Sequence, residues 1–168
     1  MSDEATDWVA VTESPLDAEV LASWATRPDC GAVVTFAGTA RTSSTTGHEI
    51  IELEYETEVS FAETRIEEIV KVARRRWPQL GAVAIHHRVG VVRVPEPAVV
   101  IAVASPHRGE AFAAAQFCID AVKRCVPMWK REVWHGGSAW SAEAQELVNV
   151  QDLLPEGVAE TTHQSKTA

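Results

Sequence analysis

Hydrophobic residues recur along the chain at two spacings, one typical of strands and one typical of helices. Residues 31–36 (GAVVTF) and 98–104 (AVVIAVA) are almost continuously apolar, which predicts buried strands, the second of them covered on both faces. Residues 51–55 alternate apolar side chains with glutamates, so they predict a strand with one buried face and one solvated, acidic face. The alternation at 83–89 predicts a further strand.

Three other stretches have the spacing of amphipathic helices. The first covers about residues 17–24. The second follows a possible capping box formed by Ser60 and Glu63, and it ends at Pro78. The third covers about 105–125. Ser105 is its predicted N-cap, and Pro106 occupies the first helical position.

The predicted elements follow one another as α-β-β-α-β-β-α-β. This order favours an α/β (α+β) fold, a two-layer sandwich with a mixed or largely antiparallel sheet. We expect one domain at 15–140, preceded by a loose acidic lead-in at 1–14 and followed by a weakly ordered tail at 141–168.

The net charge of −9 is concentrated at the two ends. Residues 1–20 carry −6 and residues 141–168 carry −4, so the middle of the chain carries +1. A negative chain argues against general nucleic-acid binding. The absence of a long apolar run and of a signal-like first segment leads us to expect a cytoplasmic protein without a membrane segment.

The three cysteines are Cys30, Cys118 and Cys125, and none of them belongs to a C-x-x-C pair. Their spacing supports neither a four-ligand zinc site nor a disulfide between the last two. We expect each to be a small buried side chain, and we predict no metal site.

The most distinctive stretch is 123–132 (KRCVPMWKRE), which contains four cations around one proline. Pro127 must end the preceding helix, so the chain turns and can bring Lys123 and Lys130 toward one place. Two close ammonium groups would depress each other's pKa and make one a candidate proton donor or acceptor. The alternative is a solvated cationic helix end that complements the helix dipole.

Two further places in the chain carry residues that are candidates for binding an anion. Arg41 lies just after the first buried strand, in a loop of small and hydroxyl residues. We expect this loop to be flexible. His107 and Arg108 lie in the first turn of the third helix, where backbone N–H groups and the helix dipole attract anions. Each of these cations is alternatively an ordinary surface residue.

The length of the third helix imposes a constraint on these residues. His107 and Lys123 are 16 positions apart, which is roughly 24 Å along a helix at about 1.5 Å per residue. One small metabolite cannot contact both in a single chain. Either they serve different sites, or a homodimer places the helix start of one subunit beside the helix end of the other.

Two basic clusters are interpreted as structural. Arg74, Arg75 and Arg76 close the second helix, where they complement its dipole, although a nucleic-acid patch is the alternative. His86 and His87 are adjacent in a strand, so they point to opposite faces and cannot both bind one ion.

Five segments together resemble one family: GAVVTFAGTAR (31–41), RRRWP (74–78), IHHRVG (85–90), SPHRGEAFAAAQFCIDAVK (105–123) and PMWKRE (127–132). In this order they are similar to the large, catalytic subunit of molybdopterin synthase, the MoaE family. The resemblance implies an α/β-hammerhead fold and a homodimer, with a small ubiquitin-like subunit ending in a Gly-Gly thiocarboxylate at each end. It also implies a sulfurtransferase that moves two sulfurs onto cyclic pyranopterin monophosphate and holds no permanent cofactor.

The resemblance assigns roles to individual residues. Lys123 is the essential lysine and Lys130 the supporting one. The remaining positions bind or line the substrate pocket: Thr39, Ala40, Arg41, His107, Arg108, Arg131 and Glu132. Of these, Arg41, His107 and Arg108 hold the pterin phosphate, the last two from the neighbouring subunit.

The chain departs from the family pattern at few positions. Ala40 replaces a usual valine, and Cys125 lies between the lysines, where it suggests a persulfide carrier. Because the family carries sulfur on the partner's C-terminus, we interpret Cys125 as structural. The alternative to the enzyme is a non-catalytic module that binds a phosphorylated metabolite or a protein tail.

Overall fold

The computed structural model describes residues 6–44, 46–141 and 146–153. This part of the chain contains eight strands, three α-helices and one 3-10 helix. The strands are β1 (Asp7–Thr12), β2 (Ala32–Thr39), β3 (Ile50–Glu56), β4 (Ala82–Arg88), β5 (Gly90–Arg93), β6 (Pro97–Ser105), β7 (Trp129–Trp134) and β8 (Gly137–Trp140). The helices are α1 (Ala18–Ala25), α2 (Val59–Arg76) and α3 (Arg108–Cys125), and the 3-10 helix is Val150–Leu153.

The first sheet has the strand order β1-β4-β6-β2, with β1 parallel to β4 and the other pairs antiparallel. Successive residues of a strand point to opposite faces, so Val83 and Ile85 pack with α2 and α3, whereas Ala82 and Ala84 pack with α1. Helices therefore cover both faces, which confirms the prediction for residues 98–104. The mixed sheet and the α+β class are also confirmed.

A second sheet, with the order β5-β3-β7-β8, is antiparallel throughout. On its inner face Leu53 and Tyr55 pack with Val92, Ala40 and Ala98. The hydrophobic pattern alone predicted a single sheet, because it identifies strands without stating which of them pair. Two four-stranded sheets meet where β2 ends and β6 begins.

The predicted loose lead-in at 1–14 was wrong for residues 7–12, which form β1. Val11 is buried in the main core, and its N–H donates to Glu63 Oε1 at 3.0 Å. The acidic neighbours of this segment concealed a short apolar run, and its partner β4 lies more than 70 residues away. Residues 1–5 lie outside the described residues.

The weakly ordered tail predicted at 141–168 was also wrong for part of its length. Val150 is 0% exposed and belongs to the main core, and the N–H of Val148 donates to the carbonyl of Arg124 at 2.9 Å. This segment therefore supplies a donor to one of the unpaired carbonyls at the end of α3. The rest of the predicted tail, 142–145 and 154–168, lies outside the described residues.

The three arginines that end α2 make intramolecular contacts. Arg74 Nε donates to Asp7 Oδ1 at 2.9 Å, and Arg75 Nη2 donates to Gln151 Oε1 at 3.1 Å. The guanidinium carbon of Arg76 lies 4.9 Å from the ring centroid of Trp77. These contacts hold β1 and the C-terminal segment against α2, which supports the structural interpretation over a nucleic-acid patch.

The predicted helix starts need correction. Glu58, rather than Ser60, caps α2, because its carboxylate accepts the N–H groups of Ser60 and Phe61 at 3.3 and 2.6 Å. Helix α3 begins at Arg108, while Ser105 remains in β6. The N-cap is His107, whose side chain makes no capping hydrogen bond. Ser105 is paired with Ala32 in the β2–β6 ladder, so it remains part of the strand and does not cap the helix.

Candidate active site

Lys123 lies in the last turn of α3, and the chain leaves that helix through a short turn. The N–H of Val126 donates to the carbonyl of Val122 at 3.1 Å, and Pro127 then prevents the helix from continuing. Thr57 Oγ1 donates to the carbonyl of Pro127 at 2.6 Å, which ties the turn to the end of β3. The turn delivers the chain into β7, where Lys130 is the second residue.

Lys130 faces Tyr55 across the antiparallel pair of β7 and β3. Directly opposed residues place their Cβ atoms about 4.5–5.5 Å apart on one face of the sheet. Glu132 lies on the same face two residues later, and its Oε1 is 3.9 Å from Lys130 Nζ. Lys130 is half-buried and Glu132 is buried, so this pair has little solvent around it.

His87 contacts Tyr55, the residue that faces Lys130. It is 6% exposed, and its ring centroid is 5.2 Å from that of Tyr55, with the planes at 78°. Its Nδ1 is 2.7 Å from the carbonyl of Arg88, so Nδ1 carries the proton and donates it. Burial lowers the pKa of His87 to about 4, the bond to Arg88 opposes this shift, and the charge of Lys123 adds to it.

These contacts connect the elements that carry the two lysines. Lys130 is opposite Tyr55 within the second sheet, Tyr55 contacts His87, and the charge of Lys123 at the end of α3 lowers the pKa of His87. The candidate site thus combines the two lysines, the carboxylate of Glu132 and the rings of Tyr55 and His87.

The loop between β2 and β3 is attached to β7 at two points. Ser44 Oγ donates to Glu132 Oε2 at 2.6 Å, and the ring of His48 stacks on Trp134 at a centroid distance of 4.1 Å. The prediction of a flexible loop is therefore wrong for its described residues, 40–44 and 46–49. A run of small hydroxyl residues predicts mobility, but these side chains reach partners 86–88 positions later in the chain.

The loop carries three of the predicted pocket residues. Thr39 ends β2 and is exposed, and Arg41 is exposed two residues later. Ala40 between them is buried, and its N–H donates to the carbonyl of Glu96 at 2.9 Å. The attachment of Ser44 to Glu132 therefore brings the Arg41 loop to the strand that carries Lys130.

Arg131 lies on the other face of β7. Its guanidinium donates to Glu54 and lies 5.6 Å from the ring centroid of Trp140, and the hydrogen bond to Glu54 raises the pKa of Arg131. Adjacent residues of a strand point to opposite faces, so the structure brings Glu132 to the lysines but does not bring Arg131 there.

His107 and Arg108 lie at the far end of α3 from Lys123. This helix has 18 residues, so its two ends are separated by roughly 25 Å at about 1.5 Å per residue. Both residues are exposed. Within one chain the structure does not bring them to the lysines.

Sequence reasoning did not identify Tyr55, His87 and Ser44 as parts of the site. Tyr55 is the only tyrosine in the chain and sits in a strand otherwise flanked by glutamates, which is the one signal that could have singled it out. His87 was interpreted as structural, and the prediction that His86 and His87 point to opposite faces is confirmed. His86 packs against Trp8 at a centroid distance of 4.5 Å.

Within the described ranges, no three His, Cys, Asp or Glu side chains are grouped as metal ligands. Burial raises the pKa of Cys118 to about 12 and raises that of Cys125, which disfavours the thiolate at both positions. None of the helices within the described residues is long and apolar enough to cross a membrane.

Comparison with known proteins places this site in a family. The family model "MoaE protein" matches residues 11–125. The molybdopterin synthase catalytic subunit of Taeniopygia guttata is 39% identical over 134 residues, which cover 80% of this chain and 86% of that protein. The subunit of the same name from Bacillus subtilis (strain 168) is 37% identical over 146 residues, 87% of this chain and 92% of that protein.

The crystal structure of molybdopterin synthase from Staphylococcus aureus has the same fold. It matches with a TM-score of 0.74 and 35% identity, covering 79% of this chain and 95% of that chain. The family match spans Arg41, His107, Arg108 and Lys123, and both relatives cover most of the chain. The chain therefore belongs to the MoaE family of molybdopterin synthase catalytic subunits.

Proposed function

We propose that this chain is the catalytic subunit of a molybdopterin synthase and acts as a sulfurtransferase. Its substrate is cyclic pyranopterin monophosphate, and its sulfur donor is a small ubiquitin-like subunit with a C-terminal Gly-Gly thiocarboxylate. Two sulfurs are transferred to give molybdopterin. Membership of the MoaE family supports this reaction. The relatives are named as the catalytic subunit of the enzyme, which supports the involvement of a second, separate subunit.

The observation that carries this proposal is the link between the two lysines through the Tyr55–His87 ring pair. Lys130 faces Tyr55, and the charge of Lys123 lowers the pKa of His87. A thiocarboxylate is an anion, and when its sulfur attacks the pterin side chain the negative charge passes from the thiocarboxylate to an oxygen of the pterin. Two ammonium groups, one at a helix end and one on a strand, are suited to stabilise this charge before and after the attack, because cations that are already in place need no reorganisation during the reaction. A lysine amine is also the group that would move a proton or bond transiently to the substrate.

The pterin phosphate is held, in this proposal, by Arg41 and by His107 and Arg108 of a second copy. Arginine donates paired hydrogen bonds to phosphate, and the start of α3 adds backbone N–H groups. Thr39, Ala40 and Glu132 line the pocket, while Arg131 holds β7 through Glu54. The length of α3 supports the second copy, because one chain keeps His107 away from Lys123.

A mixing assay tests the reaction. The protein is combined with cyclic pyranopterin monophosphate and the thiocarboxylated carrier, and the sulfur content of the pterin is measured. Two sulfurs per pterin are expected. A non-catalytic binding module would bind the pterin or the carrier tail and leave the pterin free of sulfur, which would contradict the proposed function.

Mixed dimers test the shared pocket. One chain carries His107→Ala with Arg108→Ala, and the other carries Lys123→Ala, so each homodimer is expected to be inactive. In the mixed dimer the intact Lys123 of one chain meets the intact His107 and Arg108 of the other, and activity per dimer should recover to about half of the wild-type value. An inactive mixed dimer would contradict a pocket built from two chains.

A further inference from the structure

The contact between Tyr55 and His87 joins the two parts of the molecule that carry the lysines. His87 belongs to β4 in the first sheet, on the face that packs against α3. Tyr55 belongs to β3 in the second sheet, where it faces Lys130. Their rings meet edge to face at 5.2 Å. This contact therefore bridges the helix–sheet unit that carries Lys123 and the separate sheet that carries Lys130.

His87 is held in a single orientation and protonation state. The carbonyl of Arg88 accepts the proton on Nδ1 at 2.7 Å, and burial disfavours a second proton on the ring. The ring therefore adds no third positive charge beside the lysines. It also cannot rotate without leaving a buried carbonyl unpaired, which costs about 1–3 kcal/mol.

We propose that Tyr55 and His87 are positioning residues for sulfur transfer, and that their ring contact sets the separation and direction of the Lys123 and Lys130 ammonium groups. This inference rests on the proposed function. Lys123 is exposed at a helix end and Lys130 is half-buried, so the backbone position of neither lysine fixes its amine by itself. The ring contact fixes how the sheet that carries Lys130 packs against the unit that carries Lys123.

The rate of transfer tests the proposal through substitutions that differ in what they keep. His87→Leu and Tyr55→Leu remove the ring contact and retain apolar volume, whereas Tyr55→Phe keeps the ring. The matched control is His86→Leu, because His86 is buried in the same strand but packs against Trp8 on the opposite face. Single-turnover transfer is measured at saturating carrier and pterin, alongside the binding of each substrate.

We expect His87→Leu and Tyr55→Leu to slow transfer by about 10- to 100-fold, because misplacing a reacting group by about 1 Å has effects of this size. The affinity for each substrate should change by less than about 3-fold. A general loss of folding would instead weaken binding as well as transfer. Tyr55→Phe should recover most of the rate lost in Tyr55→Leu, and His86→Leu should stay within about 2-fold of wild type. Equal rates for His86→Leu and His87→Leu, or a Tyr55→Phe variant as slow as Tyr55→Leu, would overturn the proposal.

The geometry has a second test that does not depend on turnover. NMR titration of the His87 ring should show that Lys123→Ala raises the pKa of His87, because a neighbouring cation that disfavours protonation has been removed. Lys71→Ala, which removes an exposed lysine of α2, should leave that pKa unchanged. An unchanged pKa in Lys123→Ala would show that the charge of Lys123 does not act on the ring, and would count against the proposal.

The two hypotheses fail in different ways. If the wild-type protein transfers no sulfur from a competent carrier, the proposed function is contradicted and this inference loses its basis. If the wild-type protein transfers sulfur and His87→Leu does so at the same rate, only the role of the ring pair is contradicted.

Discussion

Glu132 is bound at the same time by Ser44 and by Lys130. Its Oε2 accepts from Ser44 Oγ at 2.6 Å, and its Oε1 lies 3.9 Å from Lys130 Nζ. One buried carboxylate thus links the loop that carries Arg41 to the strand that carries the second lysine. The phosphate-binding and sulfur-transfer parts of the proposed pocket are connected through this residue.

Replacing Ser44 should affect substrate binding more than the chemical step. Ser44→Ala removes the donor to Glu132 and loosens the Arg41 loop. We therefore expect KM for the pterin to rise by about 3- to 10-fold, which corresponds to about 1 kcal/mol of lost hydrogen bonding, while kcat changes by less than about 2-fold. Steady-state kinetics measures both constants, and Ser138→Ala on β8 is the control. A fall in kcat with KM unchanged would contradict this role.

Lys123→Ala should abolish conversion while leaving the fold intact. Lys123 is exposed, so its removal should change the free energy of unfolding by no more than about 0.5 kcal/mol. Loss of a charge that stabilises the reacting groups should reduce transfer by at least about 100-fold. Sulfur incorporation and thermal unfolding are measured together, with Lys71→Ala as the control for removal of an exposed lysine. Substantial turnover by Lys123→Ala would refute its assignment.

Cys125 should be dispensable for sulfur transfer. It is buried at the end of α3, and burial raises the pKa of its thiol, so it is a poor nucleophile. Cys125→Ala should lower the free energy of unfolding by about 1 kcal/mol through lost packing and leave the transfer rate within about 2-fold. Loss of activity in a folded Cys125→Ala protein would restore the persulfide hypothesis.

The docked C-terminal segment should contribute to stability. Val150 is fully buried against the main core, so Val150→Ala should lower the free energy of unfolding by about 2 kcal/mol. Leu147 in the same segment is 51% exposed, and Leu147→Ala should change it by less than about 0.5 kcal/mol. Denaturant unfolding of the two variants makes the comparison. Equal effects would show that the segment does not dock as described.

His87 should make stability depend on pH. Its folded pKa of about 4 lies below the ordinary value of 6.5, so the unfolded chain binds more protons between these values and stability rises with pH. The contribution is complete above about pH 6.5 and is lost as pH falls, by about 2 kcal/mol between pH 7 and pH 5.

Chemical denaturation at pH 5, 6 and 7 measures this dependence. His87→Asn removes the titrating ring and should flatten the curve, whereas His135→Asn, at an exposed position, should reproduce the wild-type slope. Burial also lowers the pKa of His86, so part of the slope remains in His87→Asn. An unaltered slope in that variant would contradict a neutral, buried His87.

Local pattern was sufficient to predict most of the elements and the family. Continuous apolar runs identified β2 and β6, alternation identified β3 and β4, and Pro127 ended α3 where the turn occurs. The order of five motifs led to the MoaE resemblance, which family matching confirmed. These properties depend on residues that are close in the chain, so their spacing alone carries the information.

Tertiary structure decided how distant segments meet. Strand β1 is held by its pairing with β4, and the 146–153 segment is held by the burial of Val150 in the core. The Arg41 loop is held by the hydrogen bond from Ser44 to Glu132. The separation of Arg131 from Glu132, and the Tyr55–His87 contact between two sheets, follow from strand register and sheet packing. A sequence states which side chains are available, whereas pairing across 30 to 90 residues depends on the balance of chain entropy and burial over the whole fold.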